Sequence, residues 1–97
     1  MLFVIEGRDR IGQLETRLKA RPKHLEYIKN LGKKIILAGP FLDENEKPYG
    51  SLIIIEASSL KEAKEIAVAD PYNDVDLFES VEVRAWLWAV NKPDNLE

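Results

Sequence analysis

Four short runs of aliphatic and aromatic residues, at 2–5, 34–38, 51–57 and 81–90, carry large apolar groups on both sides of their alternation. In the last run Val81, Val83, Ala85, Leu87 and Ala89 point one way, and Glu82, Arg84, Trp86, Trp88 and Val90 point the other. Ile53 and Ile55 oppose Leu52 and Ile54 in the third run, and Ile35 and Leu37 oppose Ile36 in the second. A sheet with one wet face alternates apolar with polar residues. These strands therefore predict a sheet that is dry on both faces.

Two helical stretches separate the strands. Leu14, Leu18, Leu25, Ile28 and Leu31 share one helical face and leave Glu15, Lys19, Glu26 and Lys29 to water. Pro22 lacks an N–H, which predicts a kink or a fresh helix start there, and Gly32 supplies the stop. Ser58 or Ser59 can cap the second helix, whose inward side carries Leu60, Ala63, Ile66 and Ala67 and which ends before Asp70-Pro71. Gly39-Pro40 closes the second strand, and DENEKPYG joins it to the third in a hairpin longer than the two-residue type. The first strand ends where Gly7 and Arg8-Asp9-Arg10 break the pattern, and residues 91–97 trail off as a polar tail.

The order is βαββαβ over one domain, 1–97. With right-handed crossovers it folds most simply into an α+β, ferredoxin-like sandwich, a four-stranded antiparallel sheet with both helices on one face. Two helices cover only one dry face. A second sheet is the natural cover for the other, which predicts a homodimer packed sheet to sheet in a dimeric α+β barrel-like assembly. The competing arrangement folds loops and the tail over the open face.

Composition narrows the function. The 45% hydrophobic and 32% charged residues are ordinary for a globular chain, and the lack of cysteine removes thiolate nucleophiles and thiolate metal sites. Net charge is −3 with the signs interspersed, so no basic field awaits nucleic acid, and the aromatic pattern of RNA-binding sheets is missing. Lys33-Lys34 reads as the solvated start of a strand. MLFVIEGRDR is too short in its apolar part for a signal-peptide core or a membrane span, so no membrane partner and a cytoplasmic location are expected.

His24 is the only histidine, and it lies at the border of the apolar helical stripe, near Arg17 and Arg21. A histidine there is ordinarily a boundary residue, and Asp70-Pro71 after a helix is ordinarily a stop signal. If folding brings His24 and Asp70 together, the carboxylate fixes the imidazole tautomer and leaves the other ring nitrogen free as a base. Arg17 and Arg21 could hold an anion, although both also suit a solvated helix face, and Ser51 could offer a polar contact near a strand edge. No metal is expected, because Asp43, Glu44 and Glu46 lack the calcium-loop pattern, and no cofactor is implied, since proton transfer needs none. Gly39-Pro40 and Gly50-Ser51 make no phosphate loop. Trp86 and Trp88 suit a dimer core better than a stacked ligand.

The combination of R-x-x-H-L, A-G-P, the Gly-Ser start of the third strand and D-P-Y, spread over nearly the whole chain, resembles the YCII-related (YciI-like) family of small dimeric ferredoxin-like proteins. That resemblance implies an active-site pair at His24 and Asp70; Arg17, Arg21, Ser51 and Tyr72 are the expected contacts to an unidentified small molecule. Membership of the family does not imply one reaction; the leading expectation is a small enzyme of the lyase, isomerase or hydrolase kind, with a non-catalytic dimeric binding or regulatory module as the rival. One departure is Asp76, where relatives usually carry a glycine before the Leu-Phe pair. If that glycine serves a left-handed backbone, aspartate can adopt it at modest cost, with a loop near the pocket that differs.

Overall fold

In a computed structural model, which describes residues 1–95, the chain runs β1 (Leu2–Asp9), α1 (Leu14–Leu31), β2 (Ile35–Leu42), β3 (Pro48–Glu56), α2 (Leu60–Val68) and β4 (Phe78–Trp86). Short 3-10 turns, Gly32–Lys34 and Pro71–Asn73, precede β2 and β4. All pairings are antiparallel and the sheet order is β2-β3-β1-β4, the expected ferredoxin-like topology. Leu96 and Glu97, the end of the expected polar tail, lie outside the described residues.

Several boundaries differ from the sequence expectation. β1 does not stop at Ile5; it pairs on through Gly7 to Asp9, so Phe3, Ile5, Gly7 and Asp9 share the helix-covered side. Gly7 is needed there, because a Cβ would sit 2.6 Å from the Phe78 ring. β2 runs through Gly39-Pro40, which an edge strand tolerates because one side of its backbone has no partner. β4 begins at Phe78 and ends at Trp86, whose partner Leu2 is the first residue of β1; beyond it Leu87 has no strand to pair with. Trp88 and Val90 therefore leave the sheet, and the Trp88 Nε1–H donates to the Val90 carbonyl at 2.7 Å.

Helix α1 is not restarted at Pro22. The ring lies on the exposed side of one continuous helix, which Gly32 ends at φ 56° by donating its N–H to the Lys29 carbonyl. The predicted inward stripe is also overturned. Leu18 and Leu25 are exposed, Leu14, Ile28 and Leu31 are half-buried, and the buried residues are Arg17, Ala20 and His24. The reason is local: this part of the helix meets polar groups on β1, β3 and the α2–β4 connection, and its polar side chains turn inward to bond them.

Helix α2 follows expectation except at Leu60, which lies in the first turn and stays exposed rather than packing inward. Ser59 caps it by accepting the Glu62 N–H at 3.1 Å, and Glu62 accepts the Ser58 N–H at 2.8 Å. The Ser58 N–H first, and the Lys34 charge after it, hold the Glu62 carboxyl below the usual carboxylate range. Ala63 and Ala67 let α2 sit close on Phe3, Ile5, Ile53 and Ile55, with Ile28, Ile35, Ile66 and Val83 closing the cluster.

The other face of the sheet presents Leu2, Val4, Leu37, Leu52, Ile54 and Trp86. A charged row crosses it, where Arg84 pairs with Glu82 and Glu6, so this face is less uniformly apolar than expected.

Candidate functional site

Asp70 ends the α2 region and caps the following turn, its Oδ1 accepting the Tyr72 N–H at 2.9 Å while Pro71 occupies the first turn position. The Asn73 amide fastens this turn by donating to the Ala67 carbonyl at 2.8 Å. The carboxylate so fixed meets the His24 ring: Nδ1 lies 3.0 Å from Oδ1 and 2.8 Å from Oδ2, with both side chains buried. An ionised carboxylate only accepts, so Nδ1 carries the proton and the lone pair of neutral His24 sits on Nε2.

Arg17, two helical turns earlier, is buried too. Its Nε donates to Asp9 Oδ2 at 2.6 Å, and its Nη2 donates to Asp9 Oδ1 at 3.2 Å and to Ser51 Oγ at 2.6 Å. Tyr72 joins the two halves. Its ring stacks on His24 with centroids 4.1 Å apart, and the Arg17 guanidinium carbon lies 4.7 Å from its centroid. Phe78 packs edge-on against its ring at 5.7 Å. Burial pushes the Tyr72 phenol above its ordinary range, with Arg17 opposing and Asp70 adding to the rise. Tyr27, which donates to the Ile66 carbonyl at 2.8 Å, is raised by burial and by the Asp70 charge.

Arg17, Arg21, His24, Ser51 and Tyr72 line one cavity of about 120 Å³ between α1 and the Ala38–Pro40 stretch of β2. That is below the roughly 300–1,000 Å³ of drug-sized ligand sites and suits a solute of about one ring. A larger hollow of about 480 Å³, lined by Glu6, Arg8, Phe41 and Tyr49 among others, lies on the other side of the sheet, away from the histidine.

Five of the six residues singled out in the sequence line this cavity, and the sixth, Asp70, stands behind His24 in direct contact with it. Arg21 alone stays exposed, at the mouth. Arg17 is a buried, bonded group and not the solvated charge its helix position allowed. Asp9 was missed. Its signal is the alternation Phe3, Ile5, Gly7, Asp9, legible only once β1 is taken past the charged residues. Asp76 stands at φ 52°, a left-handed geometry that aspartate can take where relatives carry glycine, and its side chain and carbonyl hold Arg10 at 3.1 and 3.2 Å.

The profile of the YCII-related domain matches residues 1–87. The protein YciI of Escherichia coli O6:H1 is 37% identical over 92 residues, covering 87% of this chain and 94% of that protein. An uncharacterized protein of Haemophilus influenzae is 34% identical over the same length and coverage. Among solved structures, the 5-chloro-2-hydroxyhydroquinone dehydrochlorinase TftG of Burkholderia phenoliruptrix, in complex with 2,5-dihydroxybenzoquinone, is 34% identical. It superposes with a TM-score of 0.82, over 90% of this chain and 94% of that one.

Proposed function

The chain belongs to the YCII-related family, and from that premise we propose that it is a small enzyme performing general acid–base chemistry on a hydroxylated, single-ring metabolite. The observation that carries this reading is the His24–Asp70 contact: Nδ1 is held by a carboxylate, and the ring lines a cavity with Nε2 bonded to no protein group among the described residues. In the reaction, Nε2 takes a proton from the bound ring and Asp70 stabilises the imidazolium that forms. On a halogenated hydroquinone the halogen-bearing carbon first takes a proton as the adjacent hydroxyl becomes a ketone. Loss of a second hydroxyl proton to Nε2 then sends its electron pair through the conjugated system, a C=C bond forms at that carbon, and the halide leaves with the C–X bonding pair to give the quinone. The net loss is then HX, and no oxidant or reductant is consumed. The likeness to a dehydrochlorinase supports this lyase-type outcome, and the cavity size supports a ring-sized substrate.

The test is halide release and ultraviolet absorbance with 5-chloro-2-hydroxyhydroquinone and related halogenated phenols. His24→Ala and Asp70→Asn should lower kcat/KM by about 10²–10⁴-fold, the usual contribution of a positioned acid or base. Undiminished turnover in either variant overturns the assignment. Binding without turnover by the parent chain converts the reading to a non-catalytic binding module.

The same reading assigns the open sheet face to a second copy of the chain, since Val4, Leu37, Leu52 and Ile54 make a contiguous apolar strip on it. Sedimentation at micromolar concentration should give twice the 11.1 kDa chain mass, and a monomer there removes the dimer.

A further inference from the structure

The wall of the cavity is chemically one-sided. Arg17, Arg21 and His24 face it together with Ser51 and Tyr72, and no carboxylate lines it, although the chain carries a net charge of −3. Asp9 and Asp70 stand behind the groups they hold, so a solute entering the cavity meets Arg21, Arg17 and the His24 ring and no carboxylate.

The donors at the inner end are fixed in direction. Asp9 takes Nε and Nη2 of Arg17 in a two-point clamp, which sets the plane of the guanidinium, and Ser51 Oγ takes a further bond from Nη2. Nη1 has no protein partner among the described residues. No buried side-chain nitrogen or oxygen there is left unpaired, so this edge reaches the cavity that Arg17 lines. Ser51 accepts from Arg17, which leaves its own hydroxyl proton free to donate. Two donors from different elements, α1 and β3, thus converge beside the aromatic face of Tyr72.

We infer that this cavity selects a small planar organic anion, an enolate, phenolate or carboxylate on a ring, whose oxygen is received by Arg17 and Ser51, with Asp9 the positioning residue that holds Arg17 in place. Arg21 at the exposed mouth has no carboxylate within salt-bridge distance among the described residues and draws the anion inward. The inference rests on the proposed reading of the cavity as a ligand site, but it concerns binding and does not require that His24 act as a base.

Calorimetric titration of the whole chain with 2,5-dihydroxybenzoquinone, a vinylogous acid ionised at neutral pH, is compared with hydroquinone, a neutral ring of similar size. The parent chain should bind the anion at least about tenfold more tightly, the value of one hydrogen bond to a charged group. Arg17→Lys, which keeps the charge but loses the planar fork, should weaken the anion about tenfold and move hydroquinone by less than about twofold. Asp9→Asn should shift the anion the same way, and Asp9→Glu should restore part of the loss. Should Asp9→Asn fail to fold, the double variant Asp9→Asn with Arg17→Met removes both charges and must lose the preference for the anion.

Equal binding of the two probes by the parent chain, no binding of the anion at millimolar concentration, or an intact preference in the folded Arg17 and Asp9 variants each overturns the inference. Turnover that depends on His24 without anion preference leaves the acid–base reading and removes this one. Anion preference with turnover indifferent to His24 does the reverse.

Discussion

Between the helices and the sheet the chain buries two regions of similar dryness and opposite chemistry. The α2 end buries Phe3, Ile55 and the helix's own Ala63, at 1%, 0% and 0% exposure; the α1 end buries the helix's own Arg17 with Ser51 and Asp70, at 3%, 5% and 4%. The first region is held by apolar area, about 25 cal/mol per Å² removed from water, and tolerates small adjustments of direction. The second is held by hydrogen bonds whose net worth is about 0.5–1.5 kcal/mol each, set against the cost of drying a guanidinium and two carboxylates. Equal burial therefore does not mean equal contribution to stability. The α2 end stabilises the fold, and the α1 end spends part of that stability on holding charged groups in fixed directions beside a cavity.

The contrast can be broken most sharply at Asp9. Asp9→Ala leaves the Arg17 guanidinium buried without its carboxylate and should destabilise the chain by about 3–5 kcal/mol in urea titration. Replacing both partners by apolar residues of similar volume should recover most of that loss. A single variant within about 1 kcal/mol of the parent would show that the polar end is solvated and the comparison void.

At the other end, Ile55→Val removes one methylene group from the packed cluster. It should lower stability by about 0.5–1.5 kcal/mol and leave binding of an anionic ring unchanged. A change in affinity would mean that the two regions are mechanically coupled.

The smallest effect is alkaline. Tyr72 and Tyr27 have phenols raised above the ordinary value of 10.0, chiefly by burial. The folded chain keeps these protons at pH values where the unfolded chain has lost them. Stability is therefore at its full value below the unfolded pKa and declines as pH rises through the folded values. Urea titrations from pH 9 to 11 should show this decline, and it should shrink in Tyr72→Phe. A stability that is flat across that range would place both rings in water.

Much of the site was legible residue by residue, and the reasons differ. His24 stood out as the chain's only imidazole, and Asp70 because proline and a turn follow it directly. Ser51 entered as a polar group near a strand edge, Arg17 and Arg21 as helix neighbours of His24, and Tyr72 through motif resemblance. Asp9 stayed hidden because a charged triplet after an aliphatic run looks like the end of a strand. The direction of α1 was misread for a related reason. Its leucines obey helical spacing, yet the groups waiting for it on β1 and β3 are an aspartate and a serine, so Arg17 and His24 turn inward and Leu18 and Leu25 turn out. Strand β4 was placed too late, since Trp88 and Val90 have strand-forming side chains but nothing beside them to bond.

What the sequence determined by itself is the order βαββαβ, the apolar strands and the small set of side chains able to move a proton, because periodicity, turn residues and side-chain pKa are local properties of the chain. Tertiary structure alone decided where β1 and β4 end, which face of α1 is buried, and that one carboxylate grips an imidazole while another grips a guanidinium. Those outcomes depend on which groups arrive opposite one another from positions far apart in the chain, and hydrogen bonding in a dry interior rewards the arrival more than the local pattern does.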